Sequence, residues 1–471
     1  MKTVVLSDLH LGTGQGYDIF AGGEALPAFL DTLTREPTRV VLNGDTVDFL
    51  MNEDPLELQV ARAVEQAQAL VAAPSTAAVF KALGRVLAAG GEGVLRLGNH
   101  DVELALAEVQ AVLRQALGQP PEVAQRLLFQ RGDAPWVLEV GGARVLLAHG
   151  EQDDPWNKVD HAHLPGPGAP KGADPARYCY SAGSLLVKKL LNPLKRQYGL
   201  RFADLLMPDF QGALLAALAI NPGAVRLAFQ ASSLHMGWQL LRRSLTPVTF
   251  SLEEAEPDLG LAERVEAAGL TAQELQAFER VAGEGPLHFS DDDPAMLGAR
   301  QKLGRSALLS YAWLHRMAAG DAGEHYYRLA PTRGEWAEAR RLAQKFQANA
   351  VLMGHTHAAR WRREEDLLYV NSGTWIWLIR LPSPEAPRTA WADFLQELQR
   401  NPRLDPEHQR LARLEQRFTA VVCRPHAEGG AEVSLVAWQR SGLEVMGSTR
   451  VAPAAPRAQN LIDEDGFEAV I

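Results

Sequence analysis

Only two cysteines, Cys179 and Cys423, occur in 471 residues. Two thiols cannot build a disulfide framework, and such scarcity fits a reducing compartment. Basic charge is also short: 47 Lys and Arg stand against 57 Asp and Glu, a formal net charge of -10. A phosphate backbone is gripped by clustered cations, so long duplex nucleic acid is not an expected partner. No apolar run reaches the roughly 18 residues of a membrane span. The nearest, residues 212–229, is cut by Asn221-Pro222-Gly223 and carries Arg226. The opening "MKTVVLSDLHLG" has no apolar core or small-residue cleavage site, so no signal peptide and a cytoplasmic location are expected. The glycine-rich "GTGQG" (12–16) is neither G-x-G-x-x-G nor a P-loop, and no Gly-Lys-[Ser/Thr] follows it. It reads as a flexible loop.

What remains is an ordinary apolar share, 46%, enough for a sizeable core. Its arrangement is informative. A short β-branched run followed by a polar cluster recurs as "TVVLSDLH" (3–10), "RVVLNGDTVD" (39–48), "GVLRLGNHD" (93–101), "ARVLLAHGEQDD" (143–154) and "AVLMGHTH" (350–357). Continuous apolar runs bounded by Gly, Asn and Asp read as strands buried on both faces. Helical stretches over 25–34 and 56–87 separate the first three, so the fold class is α/β. In such sheets ligand groups gather beyond the carboxyl ends of strands. Hairpins are expected at Gly141-Gly142 and between 418–424 and 431–439.

The interval from 156 to 345 is mostly helix-patterned, with a capping-box signature at Thr271-x-x-Glu274 and a helix start around Asp291 to Asp293 and Pro294. It reads as a large, mainly helical cap inserted into one α/β core. The core is then 1–155 and 346–445, with a tail over 446–471. The cap stretch 177–202 carries Arg177, Lys188, Lys189, Lys195, Arg196 and Arg201, side-chain types that serve as phosphate partners.

The polar residues at the strand ends are Asp8, His10, Asp45, Asp48, Asn99, His100, His149, His355 and His357. Each alone has a plainer reading as a helix cap, a turn residue or a satisfied core polar group. Together, carboxylates, imidazoles and an amide oxygen without thiolates form a ligand set for Mn²⁺, Fe or Zn²⁺. Two metals a few Å apart need a shared carboxylate; such a pair lowers the pKa of a bridging water and clamps an in-line displacement at phosphorus.

The ordered pattern D-x-H, G-D-x-x-D, G-N-H-D, H-G, G-H-x-H, present as "SDLHLG", "NGDTVD", "LGNHD", "AHGE" and "GHTH", resembles the calcineurin-like metallophosphoesterase superfamily. The resemblance covers the core and says nothing about the cap. It implies two packed mixed β-sheets flanked by helices. It also implies two divalent ions, Mn²⁺ first, with Fe, Zn²⁺ or Mg²⁺ as alternatives. Asp8, His10 and His357 would hold one ion and Asn99, His149 and His355 the other, bridged by Asp45. His100 would assist the leaving group, oriented by Asp48, against attack by a metal-bridging hydroxide. Glu151, Asp153 and Asp154 stand beside His149 as supporting groups, whereas His161 and His163 read as loop residues.

Block order with a helical insertion is similar to UDP-2,3-diacylglucosamine hydrolase, a pyrophosphatase. That enzyme's block reads G-N-R-D and its cap is shorter. The protein Ser/Thr phosphatases share G-N-H-[DE], but their G-D-x-x-D-R-G block is broken here, since Phe49 and Leu50 follow Asp48. The expected activity is therefore hydrolysis of a small phosphodiester or pyrophosphate, nucleotide- or lipid-linked, with peripheral membrane contact through the cap open. Alternatives are a phosphomonoesterase or protein phosphatase, a single-strand nuclease, and a non-catalytic binding protein on the same scaffold. Oligomeric state is not readable from the sequence.

Overall fold

The structure is a computed structural model that describes residues 1–14, 16–154, 157–166, 168–198, 327–379, 382, 387–400, 414–439 and 441–453. The expected helix signals at Thr271–Glu274 and Asp291–Asp293, the apolar run at 212–229 and Arg201 lie outside those residues.

Fourteen strands are described: β1 (Lys2–Leu6), β2 (Thr38–Asn43), β3 (Glu92–Arg96), β4 (Leu127–Gln130), β5 (Trp136–Val140), β6 (Ala143–Leu147), β7 (Ala350–Met353), β8 (Arg360–Glu364), β9 (Leu367–Asn371), β10 (Trp377–Ile379), β11 (Leu414–Gln416), β12 (Thr419–Pro425), β13 (Ala431–Gln439) and β14 (Gly442–Val451). A seven-stranded mixed sheet runs β14-β13-β12-β1-β2-β3-β4, with β1 to β4 parallel. A five-stranded mixed sheet runs β5-β6-β7-β9-β8, with β6, β7 and β9 parallel. A small β10-β11 pair completes the set.

The period-2 alternation of strands explains the layering. In β1, β2 and β3, Val4, Leu6, Val40, Leu42 and Leu95 pack with the helices α1 (Ala25–Thr32), α2 (Val60–Ala72), α3 (Pro74–Ala88) and α4 (Ala107–Ala116). The alternate residues Val5, Val41 and Val94 join Val145, Leu147, Ala350, Leu352, Leu368 and Val370 between the two sheets. The outer face of the second sheet, Leu146, Val351 and Tyr369, packs on Trp336, Ala339, Leu342 and Ala343 of the helix Arg333–Phe346. Two mixed sheets thus lie face to face between helical layers.

Three expectations need correction. The stretch 56–87 is two helices meeting at 85°, because Pro74 holds the preceding Ala73 extended (ψ 130°). The helix Arg333–Phe346, placed mostly in the cap, belongs to the core, since its apolar face covers the five-stranded sheet. Residues 446–451 are not tail but the end of β14, paired with β13 as far as Ala431–Val451. Among the described residues no single helix is long and apolar enough to cross a membrane.

Candidate metal centre

The carboxyl ends of β1, β2 and β3 in one sheet and of β6 and β7 in the other converge on one place. The backbone beyond these strands is unusual. Of the seven non-glycine residues with positive φ among the described residues, five are Asp8 (54°), His10 (48°), Asp45 (51°), His355 (67°) and His357 (58°). Asp and His tolerate the left-handed region better than most residues, at about 1–3 kcal/mol each. Such a concentration of strain is held only where the surroundings over-determine it. Two glycines make room for it. A Cβ on Gly44 (φ 91°) would stand 2.3 Å from His149 Nδ1, and one on Gly98 would stand 2.2 Å from Asp45 Oδ1.

Three sets of side chains come within ligand distance of a common point: Asp8, His10 and His357; Asp45, His149 and His355; and His10, Asp48 and His100. His10 Nε2 lies 3.1 Å from His357 Nε2 and 4.0 Å from Asp45 Oδ2. His357 Nε2 lies 3.4 Å from Asp8 Oδ1, and His149 Nε2 lies 3.3 Å from Asp45 Oδ2. Asp45 therefore stands between the first two sets. Asn99 Oδ1 is buried and has no hydrogen-bond partner.

The imidazoles are oriented from outside. His149 Nδ1–H donates to the Asn43 carbonyl at 2.8 Å, so its Nε2 lone pair faces inward. His10 Nδ1–H donates to Asp48 Oδ2 at 2.8 Å, again leaving Nε2 inward. His355 Nε2–H donates to Asp154 Oδ2 at 3.0 Å, leaving Nδ1. A carboxylate or carbonyl on the far nitrogen is how proteins set the tautomer of a metal-binding histidine. The result is converging acceptors with no donor between them: Asp8 Oδ1, Asn99 Oδ1 and His149 Nε2 are all buried without hydrogen-bond partners. Ligands at about 2.1 Å from one ion lie about 3 Å or more apart, as do His10 Nε2 and His357 Nε2 (3.1 Å) and His149 Nε2 and Asp45 Oδ2 (3.3 Å). The donor set fits divalent cations on N and O ligands.

Asp48 does more than expected. Its Oδ2 accepts from His10 and also from His100 Nδ1–H at 3.1 Å, so it orients one proposed ligand as well as the free imidazole. Burial pushes Asp48 up, but His100 and His10 outweigh this and hold it well below the usual carboxylate range. Burial likewise opposes ionisation of Asp45, and His149, His100 and His10 still lower it. His100 is pushed down by burial and raised more strongly by Asp48 and Asp45, to about 9. Burial and Asp45 push Asp101 up to about 8.

Several supporting residues escaped the sequence reading. Asp101 accepts from Thr46 N–H (2.7 Å) and Gly98 N–H (2.6 Å), tying the β2 and β3 loops together. Buried Arg96 donates to Asn43 Oδ1 (2.9 Å) and the Leu147 carbonyl (2.8 Å), and so links the two sheets at their ends. Ser7 donates to Asp8 Oδ2 at 2.5 Å. Only Arg96 had a signal, a charge inside an apolar run. Of the acids after His149, Asp154 meets His355, Asp153 pairs with exposed Arg341 at 3.1 Å, and Glu151 is fully buried, 3.9 Å from His161 Nε2. His161 and His163 join no ligand set. The "GTGQG" loop folds onto its own neighbours, with Thr76 Oγ1 donating to the Gly12 carbonyl at 2.8 Å. Lys188, Lys195 and Arg196 are engaged with residues 51–53 and Tyr17, while Arg177 and Lys189 are exposed.

No family model matches the sequence, and no curated protein matches it either. A solved structure of phosphopantetheinyl hydrolase from Mycobacterium tuberculosis is similar over 88% of this chain and 95% of that one, at 12% identity and a TM-score of 0.23. At that score the likeness carries no argument about fold or activity. The chain is an α/β protein of two mixed sheets whose strand ends carry buried His and Asp groups able to hold metal.

Proposed function

We propose that this protein is a dinuclear metal-dependent hydrolase of phosphate esters in the calcineurin-like metallophosphoesterase superfamily. The observation that carries the reading is the pair of adjacent ligand sets, Asp8-His10-His357 and Asp45-His149-His355, with Asp45 Oδ2 4.0 Å from His10 Nε2 and His100 outside both. Asp8, His10 and His357 would hold one ion and Asn99, His149 and His355 the other, with Asp45 serving both. Two divalent ions, Mn²⁺ first, supply Lewis acidity and a water that ionises near neutral pH.

The chain's own groups do the rest. His100 has its Nδ1 on Asp48, which leaves Nε2 to give a proton to the departing oxygen. The Asp48 carboxylate on its Nδ1 favours the protonated ring that such a transfer needs. Asp8 and Asp45, buried and held in the ionised form, would offset part of the cations' charge, and the positive remainder would attract the phosphate. Small phosphodiesters and pyrophosphates, nucleotide- or lipid-linked, rank first as substrates.

Metal analysis together with turnover of bis(4-nitrophenyl) phosphate tests this. The expected result is about two equivalents of divalent metal, hydrolysis restored by Mn²⁺ after chelation, and loss of activity in the chelated protein. Activity that survives complete chelation, or a protein that takes up no divalent metal, overturns the proposal.

A further inference from the structure

The cap insertion reaches back to the metal centre. Its described part includes a helical run built from Ala182–Leu186, a π-turn Val187–Leu191 and Asn192–Tyr198. This run lies on the loop that follows Asp48. Asn192 is buried, and its amide nitrogen donates to the Leu50 carbonyl at 2.7 Å and the Asn52 carbonyl at 2.8 Å. The amide cannot be turned round, because its oxygen would then face two carbonyls. Its own Oδ1 is buried without a partner, a cost of about 1–3 kcal/mol. Lys188 Nζ adds a donor to the Asn52 carbonyl at 3.1 Å, and Lys195 Nζ donates to the Tyr17 carbonyl at 2.8 Å.

From Leu50 the path is continuous. Leu50 N–H donates to Asp48 Oδ1 at 2.9 Å. Asp48 Oδ2 then accepts from His10 at 2.8 Å and His100 at 3.1 Å. Phe49 N–H also donates to the His100 carbonyl at 3.1 Å. His149 of the second set is held by Asn43 of the core, and the path meets that set through backbone rather than through Asp48: His100 N–H donates to Asp45 Oδ1 at 2.9 Å.

We infer that Asn192 of the cap is a positioning residue for the metal centre: through Leu50 and Asp48 it sets the tautomer of His10 and the direction of His10 and His100, and acts more on the set that holds His10 than on the His149 side. The inference rests on the proposed dinuclear site. It makes residues 182–198 of the insertion part of the catalytic assembly. The chemistry requires a neutral donor at Asn192. A carboxylate there repels two carbonyls, releases Leu50, and lets Asp48 move.

The test uses the full chain with Asn192→Asp, Asp48→Asn and both together. Titration with Mn²⁺ alone should show one of two ions weakened about 10- to 100-fold in Asn192→Asp, the range for loss of a group that orients a ligand, and the other weakened less. Phosphodiester turnover should fall in kcat with little change in KM. On the Asp48→Asn background the Asn192 change should add nothing, because both act through one carboxylate. In the metal-free protein, ¹⁵N-histidine spectra should show His10 losing its fixed Nδ1–H tautomer and His100 losing its Nδ1–H bond to Asp48. Asn192→Ala, which removes the donors without adding charge, serves if the carboxylate prevents folding. Unchanged affinity for both ions, equal weakening of both, or additive losses in the double variant overturn the inference while leaving the dinuclear site standing. A wild-type protein that binds no divalent ion overturns both.

Discussion

Asp45→Asn should lose metal and activity together, with turnover down about 10²- to 10³-fold or more, the scale for removing one preorganised electrostatic group. The change is isosteric, so the fold should survive. An amide oxygen in the place of Oδ1 can still accept the His100 backbone N–H, now 2.9 Å away. The other atom becomes an NH₂ pointing at His149 Nε2, which lies 3.3 Å from Oδ2. A donor would then occupy the lone pair that the proposed second ion needs, and the charge shared by the two sets would be gone. Metal content after dialysis and rates under saturating Mn²⁺ check it. Two tightly held ions with unchanged turnover would remove Asp45 from the bridge.

His100→Ala should separate chemistry from metal binding. The imidazole touches Asp48 through Nδ1 and belongs to neither set that Asp45 connects. Both ions should therefore be retained. A positioned acid contributes on the order of 10²- to 10⁴-fold, and the loss should be greatest where the leaving oxygen most needs a proton. An alkyl phosphodiester should suffer more than a nitrophenyl one. Equal losses on the two would make His100 a donor to the phosphoryl oxygens only, and loss of an ion would make it a ligand. Asp48→Asn cannot be used as a mild version of the same change. It frees His10 as well, so it should disturb one ion along with the proton donor.

Much of this arrangement was legible because it follows local rules. Apolar runs ending in Gly, Asn, Asp and His predict strands whose carboxyl ends carry chemistry, and β1, β2, β3, β6 and β7 end at the proposed ligands. The hairpins β5-β6 and β12-β13 follow from their turn residues and alternation. The break at Pro74 was also written locally, in the restriction proline places on Ala73, yet the apolar pattern through 56–87 masks it. The return helix Arg333–Phe346 was misplaced because an amphipathic helix does not say which surface it covers. Asp154 reads as a supporting group and Arg96 as a charge in an apolar run, but which groups they serve was hidden for a different reason. Asp154 orients His355 from 201 positions away, and Arg96 reaches the second sheet from the first. Such contacts depend on how two sheets stack, which no spacing along the chain encodes. Asp48 serving two imidazoles depends on the left-handed turn at His10, which brings that ring over the β2 loop.

Anomalous diffraction from crystals of the full chain equilibrated with Mn²⁺ tests the central claim most directly. Two peaks are expected, one within ligand reach of Asp8, His10 and His357, the other of Asn99, His149 and His355, with Asp45 between them. A single peak, or manganese bound away from these residues, would contradict the account.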